Sequence, residues 1–271
     1  MQNSADSPAY FEHIKDGHFC ANTPARGPWS VDHCHAGPVA GLIARALERA
    51  LPGKVLTRMT LDLVRPIPMA GFQITTDVDR DGRTLGQARV KLADTDGNTC
   101  VTGSSMHLVR ADFTSMPTAV VTPLKRADAA AGPPPLARGE HGEPSFSDFI
   151  EVAYPDGVPD KPTNSTGPTK LWMKTPPLLA DETLSTAQRL CPLADCGNGI
   201  SRNAGFYDIT FMNTDLTIHF HRETDADWFL SDCISHWQMS GIGLAQAVLS
   251  DDDGPVATAL QTILLRPAAT R

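Results

Sequence analysis

The chain has no excess of basic residues: 23 Lys and Arg stand against 31 Asp and Glu, giving a formal net charge of −8 and a sequence pI of about 5.5. That balance argues against general nucleic-acid binding, which needs a basic stripe, and leaves only a local cationic patch to hold an anionic ligand. No stretch approaches the roughly 18 apolar residues of a transmembrane helix, so no membrane span is expected. The opening MQNSADSPAYFEHIKDGHF has no apolar run of the signal-peptide kind, and the expected location is cytoplasmic. The six cysteines, Cys20, Cys34, Cys100, Cys191, Cys196 and Cys233, include no CxxC pair and match no zinc framework. In a reducing compartment they read as small buried hydrophobes. P-loop, GxSxG and HExxH motifs are absent, and GPVAGLIAR lacks both the spacing and the preceding strand of a dinucleotide fingerprint. No cofactor is expected.

What is present is a repeat. At 271 residues the chain is about twice a usual single domain, and its 41% hydrophobic and 20% charged content is ordinary for a globular protein. With Arg65 set on Arg222, Thr60 falls on Thr217, Leu61 on Ile218 and Leu63 on Phe220. An acidic turn ending in glycine recurs, DTDG at 94–97 and DDDG at 251–254. Each copy closes on an apolar strand and an arginine, MHLVR at 106–110 and ILLR at 263–266. The offset is about 157 positions, with a slip of one near the end. A period this long is a duplication rather than a solenoid.

Each copy reads as a helix followed by strands. Over 212–222, Leu216, Ile218 and Phe220 alternate with Asp215, Thr217, His219 and His221, the period of a sheet with one dry face. DTDG and DDDG supply the Asp-Gly chemistry of hairpin turns. Residues 37–51 predict a helix whose Val39, Leu42, Ile43, Ala46, Leu47 and Ala50 form one apolar face, stopped by Pro52 and Gly53. A second helix is expected over Asp181–Leu193, with an acidic start and Pro192 ending or kinking it. The Pro-, Ala- and charge-rich stretch 111–145 reads as an exposed linker, and 155–170 as a loop. The expected division is an N-terminal unit at 1–112, a linker at 113–145 and a C-terminal unit at 146–271. The class is α+β, with each helix wrapped by a curved antiparallel sheet and the two sheets joined edge to edge.

Four segments resemble the double-hotdog, type II (TesB-like) acyl-CoA thioesterase family: HAGPVAGLIARAL after Cys34, LDLVRPIPM at 61–69, TDLTIHFHR at 214–222 and VATALQTILLRP at 256–267. The resemblance covers most of the chain outside the linker. It implies a double hotdog of two tandem units, an acyl-CoA substrate and hydrolysis to fatty acid and free CoA. It implies a catalytic set of an aspartate at the end of the second helix, a hydroxyl early in the Phe-His-Arg strand and a glutamine in the last strand. Asp195 matches the first and Gln261 the last. The hydroxyl position falls on Asn213, a departure from the family pattern; a one-residue bulge would present Thr214 instead. Asparagine can hold a water as donor and acceptor. The expected chemistry has Asp195 as general base, Gln261 and Asn213 or Thr214 holding the water, and N–H groups near Gly197 or Gly37 polarising the carbonyl.

The first copy offers no carboxylate from residue 37 to 47, Glu48 lies near its helix end, and Ser105 stands where Gln261 stands in the second copy. One working site per chain is therefore expected. Two other readings remain open. One is an acyl-CoA- or lipid-binding protein without turnover, favoured by Asn213. The other is an enoyl-thioester hydratase or dehydratase, whose chemistry pairs Asp with His; the sequence places no histidine beside Asp195. His33 and His35 read as structural or loop residues, and His219 and His221 as polar-face residues. Arg65 and Arg222 read as strand-closing residues, Trp172, Trp228 and Trp237 as core or interface residues, and Asp251–Asp253 as a solvated turn. The assembly is left open between a monomer and a homodimer.

Overall fold

A computed structural model describes residues 9–139, 142–160, 167–206 and 208–268. The first eight residues, and positions 161–166 of the expected loop, lie outside the described residues. The first half runs β1 (Phe11–Lys15), β2 (His18–Ala21), α1 (Ala36–Ala50), β3 (Val55–Leu63), β4 (Phe72–Asp81), β5 (Leu85–Asp94) and β6 (Thr99–Leu108). The second runs β7 (Ala130–Gly132), β8 (Glu151–Tyr154), β9 (Thr169–Lys174), α2 (Thr186–Ala194), α3 (Gly197–Ser201), β10 (Ile209–Asn213), β11 (Asp215–Phe220), β12 (Phe229–Trp237), β13 (Ile242–Asp251) and β14 (Gly254–Pro267). The strands form one antiparallel sheet in the order β1-β2-β4-β5-β6-β3-β11-β14-β13-β12-β9-β8-β7, with β10 also on β14. This is the double hotdog.

The halves join through β3 and β11, where each strand end satisfies the other's ladder. Their register puts Thr60 opposite Thr217, Asp62 opposite Asp215 and Arg58 opposite His219. Repeat-equivalent positions thus exchange across an internal twofold, and the Thr217 hydroxyl lies 3.2 Å from that of Thr60.

Helix α1 is buried from Gly37 to Arg45, not along one face only, because the sheet wraps it and α2 packs on its other side. Leu42, Ile43 and Leu47 are fully buried, each a stabilisation of about 1.5–3 kcal/mol. Small residues set the helix–helix distance. A Cβ on Gly37 would lie 2.5 Å from the Pro192 carbonyl oxygen, and one on Gly41 would press on Leu178 and on the Gln188 carbonyl. With residue 37 beside 192 and 41 beside 188, the helices run antiparallel. One apolar cluster spans both halves, including Leu42, Met59, Leu190 and Ile218.

Several local expectations are revised. Helix α2 starts five residues later than the acidic run suggested, because Ser185 caps it by accepting from the Gln188 N–H. The strand at 212–222 breaks at Thr214 into β10 and β11. The stretch read as a linker is exposed over 111–121. Beyond it, Lys125 and Arg126 bond to Asp252, and Ala130–Gly132 pair with β8. Asp251 is not solvated: it is 3% exposed and accepts two bonds from the Arg222 guanidinium, which also donates to the Pro255 and Gly254 carbonyls. The strand-closing arginine thus locks the hairpin behind it.

Candidate active site

The residues that could carry chemistry meet where the start of α1 faces the end of α2. Asp195 is the C-cap of α2, held by its own N–H on the Leu193 carbonyl and 6% exposed. Gln261 comes from the middle of β14 and is 2% exposed. Asn213 ends β10. Asp195 Oδ1 accepts from Asn213 Nδ2 at 2.8 Å and from Gln261 Nε2 at 2.9 Å. Gln261 Nε2 also reaches the Asp195 carbonyl at 3.0 Å, while its Oε1 accepts from the Asn198 N–H at 3.2 Å. Every group on Gln261 is therefore engaged, which fixes its face toward the carboxylate. Asn213 differs: its Nδ2 is anchored on Asp195, but its buried Oδ1 has no protein partner.

Thr214 is not part of this group. The backbone turns at the β10–β11 break, and the Thr214 hydroxyl donates to the Thr262 carbonyl on the exposed side. Of the two positions considered for the hydroxyl, the structure brings Asn213 to Asp195.

A fourth residue joins them. His35, the N-cap of α1, puts Nδ1 3.3 Å from Asp195 Oδ2 and accepts the Gly37 N–H at 3.1 Å. Its ring stacks on Phe146, centroids 4.3 Å apart at 17°. In the sequence His35 reads as a structural or loop residue, and no histidine is placed beside Asp195. The available signal was its place just before the glycine-led helix, but only the antiparallel packing of the helices brings residue 35 to residue 195. The Gly37 N–H is occupied by this arrangement, so it is not among the donors left for a carbonyl.

Burial pushes the Asp195 carboxyl above the usual carboxylate range, against the opposing pull of His35, Asn213, the Gly37 N–H and Gln261. Burial also holds the His35 imidazole below its ordinary value, with Asp195 pulling the other way. Beside His35 lies a cavity of about 50 Å³ with apolar walls from Trp29, Leu136, Phe146, Phe206 and Phe211. Trp29 and Phe211 meet edge-on, centroids 5.7 Å apart at 90°. Among the described residues no group of three or more His, Cys, Asp and Glu is arranged to hold a metal ion. Also among them, no helix is long and apolar enough to cross a membrane.

Two family models match the chain in tandem: the acyl-CoA thioesterase N-terminal domain over residues 25–108 and the acyl-CoA thioesterase C-terminal domain over 126–265. The chain belongs to the acyl-CoA thioesterase family. The two matches divide at the junction of the duplicated units, and the C-terminal one contains Asp195, Asn213 and Gln261. Solved structures agree in fold. A protein from Novosphingobium aromaticivorans superposes with a TM-score of 0.73 at 21% identity, covering 95% of this chain and 98% of that one. The tesB protein of Mycobacterium avium subs paratuberculosis gives 0.67 at 16%, covering 95% and 96%. The acyl-CoA thioesterase II TesB2 of Mycobacterium marinum gives 0.62 at 17%, covering 96% of each. At these identities the likeness is one of fold. Comparison with curated protein sequences gives no match.

Proposed function

We propose that this protein hydrolyses acyl-CoA to a carboxylic acid and free CoA, with Asp195 as the general base. The observation that carries the reading is the Asp195–Asn213–Gln261 cluster: a buried carboxylate whose Oδ1 is fixed by two amides, beside an amide oxygen with no protein partner. A water between Asp195 Oδ2 and Asn213 Oδ1 would donate both its protons and aim its lone pair outward. Asp195 takes one proton as the water oxygen adds to the thioester carbonyl carbon. The oxyanion is then stabilised by the positive end of α1, a fifteen-residue helix starting at this point. Collapse breaks the C–S bond and releases the thiolate. The apolar cavity beside His35 takes the acyl end. Asparagine in place of a hydroxyl keeps the acceptor that holds the water, so the departure from the family pattern is compatible with turnover. The test is thiol release from octanoyl-CoA. Gln261→Ala should lower kcat by about 10²-fold by freeing the carboxylate, and an unchanged kcat would remove the amide clamp from the mechanism.

The 3.3 Å contact of His35 with Asp195 favours a second reading, hydration of an enoyl-thioester by the same pair. Crotonyl-CoA separates the two. Loss of the enoyl-thioester absorbance without thiol release would replace hydrolysis by hydration; absorbance loss matched by an equal amount of released thiol supports hydrolysis.

A further inference from the structure

The internal twofold that sets Thr60 against Thr217 relates the two units, and their helices pack antiparallel, Gly37 on Pro192 and Gly41 on Gln188. What Asp195 is to the start of α1, a residue in the last turn of α1 should be to the start of α2. That residue is Glu48. Its Oε2 accepts from the hydroxyl of Ser185, the N-cap of α2, at 2.9 Å and from Gln188 Nε2 at 2.6 Å. Ser185 thus stands to Glu48 as the N-cap His35 stands to Asp195. The amide pattern recurs as well. Gln188 is 8% exposed, its Nε2 is spent on the carboxylate, and its buried Oε1 has no protein partner, just as Asn213 Oδ1 has none at the other end. A cavity of about 220 Å³ opens here, with Glu48, Ser185 and Thr186 on one side and Leu56, Val109 and Phe220 among its apolar walls.

We propose that this groove is a second acyl-thioester site, slower than the first, in which Glu48 is the water-activating carboxylate. The inference rests on the hydrolytic reading of Asp195. A water held between Glu48 and Gln188 Oε1 gives one proton to Glu48 as its oxygen adds to the thioester carbonyl carbon. The oxyanion faces the first turn of α2, the C–S bond breaks, and the thiolate leaves and takes up the proton from Glu48. The products are a carboxylic acid and free thiol. Burial raises the Glu48 carboxyl above its ordinary value, while Gln188 and Ser185 pull it back, the same opposition that acts on Asp195. The site is slower because two donors are missing. Leu56 stands at the position related to Asn213. Ser105, related to Gln261, donates instead to the Ala88 carbonyl and contacts His107.

The test is thiol release from octanoyl-CoA in Asp195→Asn and in that variant combined with Glu48→Gln or Val109→Trp. Gln at 48 keeps an acceptor for the Ser185 hydroxyl, and Val109 is 43% exposed, so tryptophan there narrows the groove without entering the core. The expected result is a residual rate in Asp195→Asn that Glu48→Gln lowers about tenfold or more and that Val109→Trp lowers through KM. A residual rate that Glu48→Gln leaves unchanged, or none above the uncatalysed background, overturns the second site. If that happens while the wild type is active, the Asp195 reading stands; an inactive wild type would sink both.

Discussion

The carboxylate of Asp195 is one charge held in a place that disfavours charge, and its pH behaviour follows. Burial raises its pKa, so the ionised carboxylate is lost on acidification at a higher pH than for an exposed aspartate. The acid limb of kcat/KM should therefore lie above the roughly pH 4 of an ordinary carboxyl. Because the Asn213 amide donates to the ionised form, Asn213→Ala should move that limb to higher pH, and a pH–rate profile of the two proteins checks it. Asp251 behaves oppositely. Burial raises its carboxyl, but the bonds from Arg222 and its other donors outweigh that and leave the pKa below the ordinary value. A depressed folded-state pKa contributes stability that is present above the unfolded pKa and lost as pH falls through the folded one. Asp251→Asn should cost about 1.5–3 kcal/mol in a urea titration near neutral pH, with the difference shrinking in acid.

Helix contacts decide whether these residues meet. Gly37 and Gly41 let α1 lie against α2, and Gly37→Ala would drive a methyl group into the Pro192 carbonyl. The start of α1 must then move away from Asp195. The variant should lose about 1–3 kcal/mol of stability and most of its turnover, measured by thermal melting and thiol release. Elements with a clear period were legible in the sequence: α1 by its apolar spacing and β11 by alternation of Leu216, Ile218 and Phe220 with polar neighbours. The start of α2 was not, because an acidic first turn and a serine cap are both N-terminal signals and only the Ser185–Gln188 bond decides between them. Asp195, Asn213 and Gln261 were reachable only through the family resemblance. His35 and Glu48 were legible only as residues near the ends of α1, since their partners lie 160 and about 140 positions away in sequence and are supplied by helix packing. Asp251 was misread because an acidic turn is usually solvated, and nothing local shows that Arg222 folds back over it.

The duplicated units share one sheet and one apolar cluster, so they are expected to unfold together. Tryptophan fluorescence, to which Trp172, Trp228 and Trp237 of the second half contribute beside Trp29 of the first, and far-UV circular dichroism should give coincident urea transitions; two resolved transitions would mean that the halves are thermodynamically separate. The same sharing makes the Asp195 centre a joint product: His35 comes from the first unit, Asp195, Asn213 and Gln261 from the second. The proposed hydrolysis depends on that carboxylate, and kcat/KM for octanoyl-CoA in Asp195→Asn measures its part directly. The expected result is a fall of about 10²–10⁴-fold with the fold intact. A rate equal to that of the wild type would contradict it.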